Sequence, residues 1–96
     1  VFTLGDRGAG VTFIQTALNW LDIYRLPITG KGIGAQIAVT GIYNKQTATA
    51  VIEFQRWNNQ FLRLLGHKPN IKEDGITGPA TLKLMSDWTQ IRFGKK

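Results

Sequence analysis

The sequence predicts a mainly α fold, a compact three-helix domain with two repeated Gly-turn/helix units and an inserted loop or small β-hairpin after helix 1. Three segments carry apolar residues at helical spacing, and two glycine-containing stretches of similar sequence precede the second and third segments. The chain has 96 residues, so we expect a single domain over residues 1–96. Because the chain begins with Val1 rather than Met, we expect this domain to be part of a larger protein.

The first helix is predicted over residues 10–22. Its apolar residues recur at helical spacing on one stripe: Val11, Ile14, Leu18 and Leu21. Phe13 and Trp20 lie off this stripe, seven residues apart, and Tyr24 extends their row. Two interpretations of the row remain open. Either the insertion folds over the rings as a small satellite core, or the rings form an exposed surface that binds carbohydrate or another protein.

The first helix is followed by an insertion at about residues 23–39. One proline and three glycines interrupt the helical spacing there. The flanks of the insertion, residues 26–29 and 36–40, are candidates for the two strands of a small hairpin.

The second helix is predicted to begin at Lys45, with Asn44 as its N-cap. Gly66 and the later Pro69 are typical signals for its end. Its apolar stripe has four main positions, widened by three neighbours: Val51, Phe54, Phe61 and Leu65, with Ala50, Trp57 and Leu64. The third helix is predicted to begin at Pro79, because proline is favoured in the first helical position. Its inner face contains Leu82, Met85 and Trp88.

The two similar stretches are TGIYNKQT at residues 40–47 and DGITGPAT at residues 74–81, offset by 34 positions. In each, glycine permits a backbone conformation that a side chain would disfavour, and threonine can satisfy free N–H groups in the first helical turn. We expect the isoleucine of each copy to fill the core beneath its turn. The residues expected to build these turns and the entry turn are Asp6, Gly41, Thr47, Asp74, Gly75, Gly78 and Thr81.

Composition removes most catalytic chemistry. The chain has no cysteine and one histidine, which excludes disulfides, thiolate nucleophiles, cysteine-ligated zinc and sites with several histidines. No pair of its six carboxylates has a spacing that supports glycoside hydrolysis. We therefore expect no enzyme activity, no catalytic residue, no metal site and no cofactor. No apolar run is long enough to span a bilayer.

Three motifs in order resemble a known family. LGDRGAGVTFIQTALN at residues 4–19, AVIEFQ at residues 50–55 and DGITGPAT at residues 74–81 are similar to the small three-helix peptidoglycan-binding modules of bacterial and phage cell-wall hydrolases. Two features depart from the usual pattern. Thr40 and Asn44 stand where the family usually has Asp and Gly, and the insertion at about residues 23–39 is longer than usual.

The resemblance implies non-catalytic binding to bacterial peptidoglycan, which targets an attached hydrolase or remodelling domain to its substrate. The implied partners are the glycan, the stem peptide and the catalytic domain of the parent protein. The implied location is secreted, in the cell wall or periplasm, or phage-borne. Two other functions remain open: a protein-docking module within a wall-associated or phage assembly, and a general binder of polyanions, either teichoic acid or nucleic acid. Nucleic acid is not the expected partner, although the net charge of +6 would suit it.

Peptidoglycan offers apolar sugar faces, N-acetyl groups and free carboxylates, so aromatic rings, amides and cations are the expected ligand contacts. The candidate ligand-binding residues are Tyr43, Asn44, Arg56, Trp57, Asn59, Trp20 and Tyr24. For several of them a structural role is also open: a helix cap for Asn44, the rim of the core for Trp57, and a solvated helix face for the polar run around Trp57.

Overall fold

The computed structural model describes residues 1–23 and 37–93, with the side chains of residues 1–20 and 37–87. It contains three helices, α1 (Ala9–Ile23), α2 (Lys45–Leu64) and α3 (Pro79–Phe93). The described residues form no strand, and the mainly α, three-helix prediction is confirmed. Most of the predicted hairpin, and with it Tyr24, lies outside the described residues, while residues 37–40 have no regular structure.

Helix α1 packs against both α2 and α3 and supplies one wall of the core. Its predicted stripe is confirmed at Val11, Ile14 and Leu18, which are almost completely buried. Ile37, near the end of the insertion, joins the same core, and the side-chain amide of Asn19 forms hydrogen bonds of 2.9 and 2.8 Å with the backbone of Ile37. Both ends of the insertion are therefore attached to the last turns of α1.

Helix α2 begins and ends at the predicted signals. The Asn44 side chain accepts a hydrogen bond of 2.9 Å from the backbone N–H of Thr47, which makes Asn44 the N-cap. Gly66 follows the helix with a φ of 83°, in the left-handed region that glycine adopts readily. The predicted apolar stripe extends beyond the core. Leu64 and Leu65 are exposed, because they lie at the end of a helix that is five residues longer than α1 and α3.

Helix α3 begins at Pro79, as predicted, and its first intrahelical hydrogen bond joins the Leu82 N–H to the Gly78 carbonyl. Met85 is fully buried and Leu82 is partly buried, which confirms these two positions of the inner face. The main core cluster draws on all three helices and the segments between them: Val11, Ile14, Leu18, Ile37, Tyr43, Ala50, Val51, Phe54 and Met85.

The two turns have the same backbone at their glycines. Gly41 in turn 1 (residues 40–47) and Gly75 in turn 2 (residues 74–81) both have a φ of 77°. The expectation that the isoleucine of each turn fills the core is wrong, since Ile42 and Ile76 are 40% and 39% exposed. The following residue is buried instead in both turns, as Tyr43 and Thr77 show below.

The chain before α1 explains this orientation. Arg7 forms an isolated antiparallel bridge with Ile42, and Phe2 forms another with Thr77. Successive side chains of extended backbone point to opposite sides, so a turn paired in this way buries only one of two neighbours. The N-terminal segment, residues 1–8, therefore lies along both turns.

Candidate ligand cleft beside the second turn

Turn 1 is held by the side chain of Gln15, a fully buried residue of α1. Its amide oxygen accepts hydrogen bonds of 2.9 Å from the backbone N–H groups of Thr40 and Gly41. Its amide nitrogen donates to the Ile42 carbonyl and to Thr47 Oγ1, also at 2.9 Å. One buried amide thus satisfies several polar groups of the turn, which fixes the start of α2 against α1.

Turn 2 is held in the same way by Gln55 of α2, which is 1% exposed. Its amide oxygen accepts from the Gly75 N–H at 2.9 Å, and its amide nitrogen donates to the Ile76 carbonyl at 3.0 Å. A longer contact of 3.3 Å joins the same nitrogen to Thr81 Oγ1. Gln15 and Gln55 therefore play equivalent roles: one joins α1 to the turn before α2, and the other joins α2 to the turn before α3.

The departure at Thr40 preserves the hydrogen bond of the turn. Asp74 accepts from the Ile76 N–H at 3.0 Å, and Thr40 Oγ1 accepts from the Ile42 N–H at 3.1 Å. A hydroxyl oxygen therefore replaces a carboxylate oxygen at the first position of turn 1, with the geometry retained. The other predicted turn residues also lie in the turns: Gly41, Thr47, Gly75 and Thr81. The Gly78 carbonyl accepts a hydrogen bond from the Leu82 N–H, and the Asp6 carboxylate accepts one from the Thr3 N–H.

Tyr43 connects the two turns. Its hydroxyl donates to the Gly75 carbonyl at 2.6 Å and lies 2.9 Å from Thr77 Oγ1. The side chain is 1% exposed, and burial raises the pKa of the Tyr43 hydroxyl above its ordinary value, with the Thr77 hydrogen bond acting in the opposite direction. Tyr43, a predicted ligand contact, thus presents almost no surface to a ligand in this structure.

The polar run of α2 anchors the connector (residues 67–73). Asn58 and Asn59 are 3% and 2% exposed, so the interpretation of a solvated helix face is wrong at both positions. Asn58 donates to the Asn70 side chain at 2.9 Å. Asn59, a predicted ligand contact, donates to the Ile71 carbonyl at 2.8 Å and to Glu73 at 3.0 Å.

Arg56 reaches the same connector from the surface. Its guanidinium lies 3.6 Å from the Glu73 carboxylate and 3.2 Å from that of Glu53. The guanidinium is about half exposed, so these ion pairs contribute little stability, and a ligand can still reach the group. Arg56 and Asn59, predicted as one face, therefore meet at Glu73.

The connector, turn 2 and the start of α3 enclose a cleft of about 250 Å³. Asn70, Ile71 and Lys72 line it from the connector. The remaining lining residues come from α2, turn 2 and α3: Gln55, Asp74, Ile76, Gly78, Pro79, Ala80 and Thr81. The cleft thus combines aliphatic surface with one ammonium and one carboxylate group, a combination suited to a short peptide.

The other predicted ligand residues lie apart from this lining. Trp57 is 4% exposed and stacks with Phe54 and Phe61, at ring-centroid distances of 6.5 and 5.6 Å. Asn44 is exposed and caps α2, and Trp20 is 47% exposed on α1. Ligand binding by any of these residues stays a prediction.

The sequence did not point to Asn70 or Lys72 as ligand contacts, and it predicted Ile76 in the core rather than at a cleft. The connector has no periodicity, so nothing in it indicated a wall of a cleft. The sequence signal that could have indicated this location is the second turn, because it keeps the Asp and Gly of the family pattern.

Among the side chains that the structure describes, those of residues 1–20 and 37–87, there is no group of three or more His, Cys, Asp or Glu placed to hold a metal ion. Within residues 1–23 and 37–93, no helix has the length and apolar character needed to cross a membrane.

Comparison with known families identifies a family match. The family described as "Putative peptidoglycan binding domain" matches residues 7–60, more than half of the chain, including α1, turn 1 and most of α2. Comparison with curated proteins and with solved structures gave no significant match. The ordered motifs, the three helices and the matched residues agree, and the chain belongs to the peptidoglycan-binding domain family.

Proposed function

We propose that this domain attaches its parent protein to bacterial peptidoglycan without breaking any bond in it, and that the cleft beside turn 2 receives the stem peptide. The observation that carries the proposal is the family match over residues 7–60. Those residues include Gln15 and Gln55, the two glutamines that hold the turns, and Gln55 also lines the cleft, whose other lining residues follow the matched region.

The chemistry of the cleft supports a stem peptide as ligand. Lys72 offers an ammonium group to the free carboxylates of the peptide. Ile76 and Pro79 offer aliphatic surface to small side chains. Asp74 uses one oxygen, Oδ1, for Ile76 and Gln55, and its other oxygen has no hydrogen bond within the described part of the chain, so it can accept from an amide or ammonium group.

Attachment of a hydrolase or remodelling domain is the second part of the proposal. A domain that binds the wall raises the effective concentration of any linked catalytic domain at its insoluble substrate. This role places the parent protein outside the cytoplasmic membrane, as a secreted, wall-associated or phage-borne protein. Sacculus digestion by the full parent protein, with and without this domain, measures the gain directly.

A pull-down with purified sacculi tests binding. Sacculi freed of teichoic acid should retain the chain at moderate salt, and the chain alone should release no soluble fragments. Absence from the pellet would overturn the proposal, as would release of fragments.

A salt series separates this function from polyanion binding. A binder of phosphate polymers loses affinity steeply, with a log–log slope that counts the phosphates neutralised. Stem-peptide binding through one ammonium group should decline gently over the same range, since hydrogen bonds and apolar contacts are screened little. Retention only by sacculi that keep their teichoic acid would favour the polyanion binder.

A further inference from the structure

Helix α1 exposes two aromatic rings on a stretch of chain that carries no charged residue. Phe13 and Trp20 are 44% and 47% exposed, and Thr12 and Thr16 are exposed beside them. No charged residue occurs from position 8 to position 21, although the chain carries 18 charged residues among its 96. We call these four residues the aromatic face.

The helix sets the spacing of the two rings. Residues seven apart differ by about 20° in direction around a helix and by about 10.5 Å along its axis. Phe13 and Trp20 therefore stand in one row, with the Thr16 hydroxyl between them along the helix. A row of two apolar rings with hydroxyl groups beside it is suited to an elongated ligand that alternates apolar faces with hydroxyl and amide groups.

The absence of charged residues from position 8 to position 21 indicates the kind of ligand that this part of α1 would bind. A polyanion would need lysine or arginine at the contact, and an acidic or basic protein surface would need the opposite charge. A chain of N-acetylated sugar rings needs neither. The C–H faces of its sugars can stack on aromatic rings, while its hydroxyl and N-acetyl groups hydrogen-bond to threonine.

We propose that the aromatic face binds the glycan backbone of peptidoglycan, with sugar rings stacked on Phe13 and Trp20. The inference rests on the proposed peptidoglycan binding and adds a second contact that is distinct from the cleft. The cleft would take the stem peptide, and the aromatic face would take the neutral glycan that carries it.

Chitohexaose, a chain of N-acetylglucosamine without stem peptides, is the probe. The expected result is a saturable titration in which backbone amide signals of residues 12–20 shift and those of residues 70–81 do not. Trp20→Ala and Phe13→Ala should each weaken chitohexaose binding about tenfold, about 1.4 kcal/mol. Leu64→Ala, at a more exposed apolar residue on α2, is the matched control and should leave affinity unchanged.

The outcomes separate this inference from the proposed function. Sacculus binding without any chitohexaose response overturns the glycan face and leaves the proposed function standing. Failure of sacculus binding, with chitohexaose still bound at residues 12–20, overturns the proposed function and, with it, the assignment of the aromatic face to peptidoglycan glycan. Chemical shifts of residues 12–20 that depend on protein concentration alone would assign the face to a second copy of the chain and overturn the inference.

Discussion

The hydroxyl of Tyr43 lies 2.9 Å from Oγ1 of Thr77, and these two residues occupy the same position in the two turns. The Tyr43 hydroxyl proton is donated to the Gly75 carbonyl at 2.6 Å, so the Thr77 hydroxyl donates to the tyrosine oxygen. Turn 1 thus reaches into turn 2 through a buried chain of hydrogen bonds. The shape of the cleft beside turn 2 therefore depends on a residue of turn 1.

Tyr43→Phe tests this connection. The ring stays, but the buried Gly75 carbonyl and Thr77 hydroxyl lose their partner, which should cost about 1–3 kcal/mol of unfolding free energy. Urea denaturation at neutral pH measures the loss. In a double-mutant cycle with Thr77→Val, the combined loss should be smaller than the sum of the single losses, because the two side chains share one interaction. Additive losses would contradict the connection.

The same residue predicts a pH dependence. Burial raises the Tyr43 pKa in the folded chain, so its stabilisation is complete below the unfolded pKa of about 10 and declines as pH rises from there through the folded pKa. Tyr43→Phe lacks this contribution. The difference in unfolding free energy between the wild type and Tyr43→Phe should therefore narrow as pH rises above about 10. A difference that stays constant or widens would show that the hydroxyl is not held in this way.

Gln15→Leu and Gln55→Leu should both be strongly destabilising. Each removes a buried amide and leaves a glycine N–H and an isoleucine carbonyl without their partner, at about 1–3 kcal/mol for each buried group. Gln46→Leu is the control, because that side chain is exposed and accepts a single hydrogen bond of 3.2 Å from the described residues, from the Ala38 N–H. Thermal or urea unfolding measures the loss of unfolding free energy in the three variants. A loss at Gln46 as large as at the other two would contradict the role of the buried glutamines.

Gly66→Ala and Gly75→Ala separate backbone strain from steric conflict. Both glycines have positive φ, and left-handed backbone costs a non-glycine residue about 1–2 kcal/mol. A Cβ at position 66 meets open space, whereas one at position 75 lies 3.2 Å from both the Ala48 carbonyl oxygen and Ile52 Cγ1. Gly75→Ala should therefore lower the unfolding free energy more than Gly66→Ala does. Equal losses would show that the backbone conformation alone decides.

The helices could be predicted from the sequence because their signals are local. Asn44 caps α2, Gly66 follows its end and Pro79 begins α3, and each signal acts within a few residues of the helix end it marks. Which residue of each turn is buried could not be predicted in this way. Whether Ile42 or Tyr43 is buried depends on pairing with the N-terminal segment, about 35 positions away in the chain.

The candidate site was predicted less well for a similar reason. Amides next to a tryptophan on a helix have the composition of a solvated or ligand-binding face, and only the position of the connector decides otherwise. Asn58 and Asn59 are buried because partners twelve residues later in the chain fold back onto them. The folding of the connector back onto α2 also places Lys72 at the cleft, and no periodic pattern in the sequence predicts it.

Lys72→Glu tests the cleft as the binding site for the stem peptide. Replacing the ammonium group by a carboxylate should weaken binding of a soluble muropeptide about tenfold or more, since hydrogen bonds to charged groups contribute about 1.5–3 kcal/mol. Lys68→Glu is the matched control, because it makes the same charge change at an exposed connector residue outside the lining of the cleft. Isothermal titration calorimetry at two salt concentrations compares the variants. Equal weakening by both would indicate that net charge, rather than the cleft, attracts the peptide, and unchanged affinity in Lys72→Glu would remove the cleft as the site.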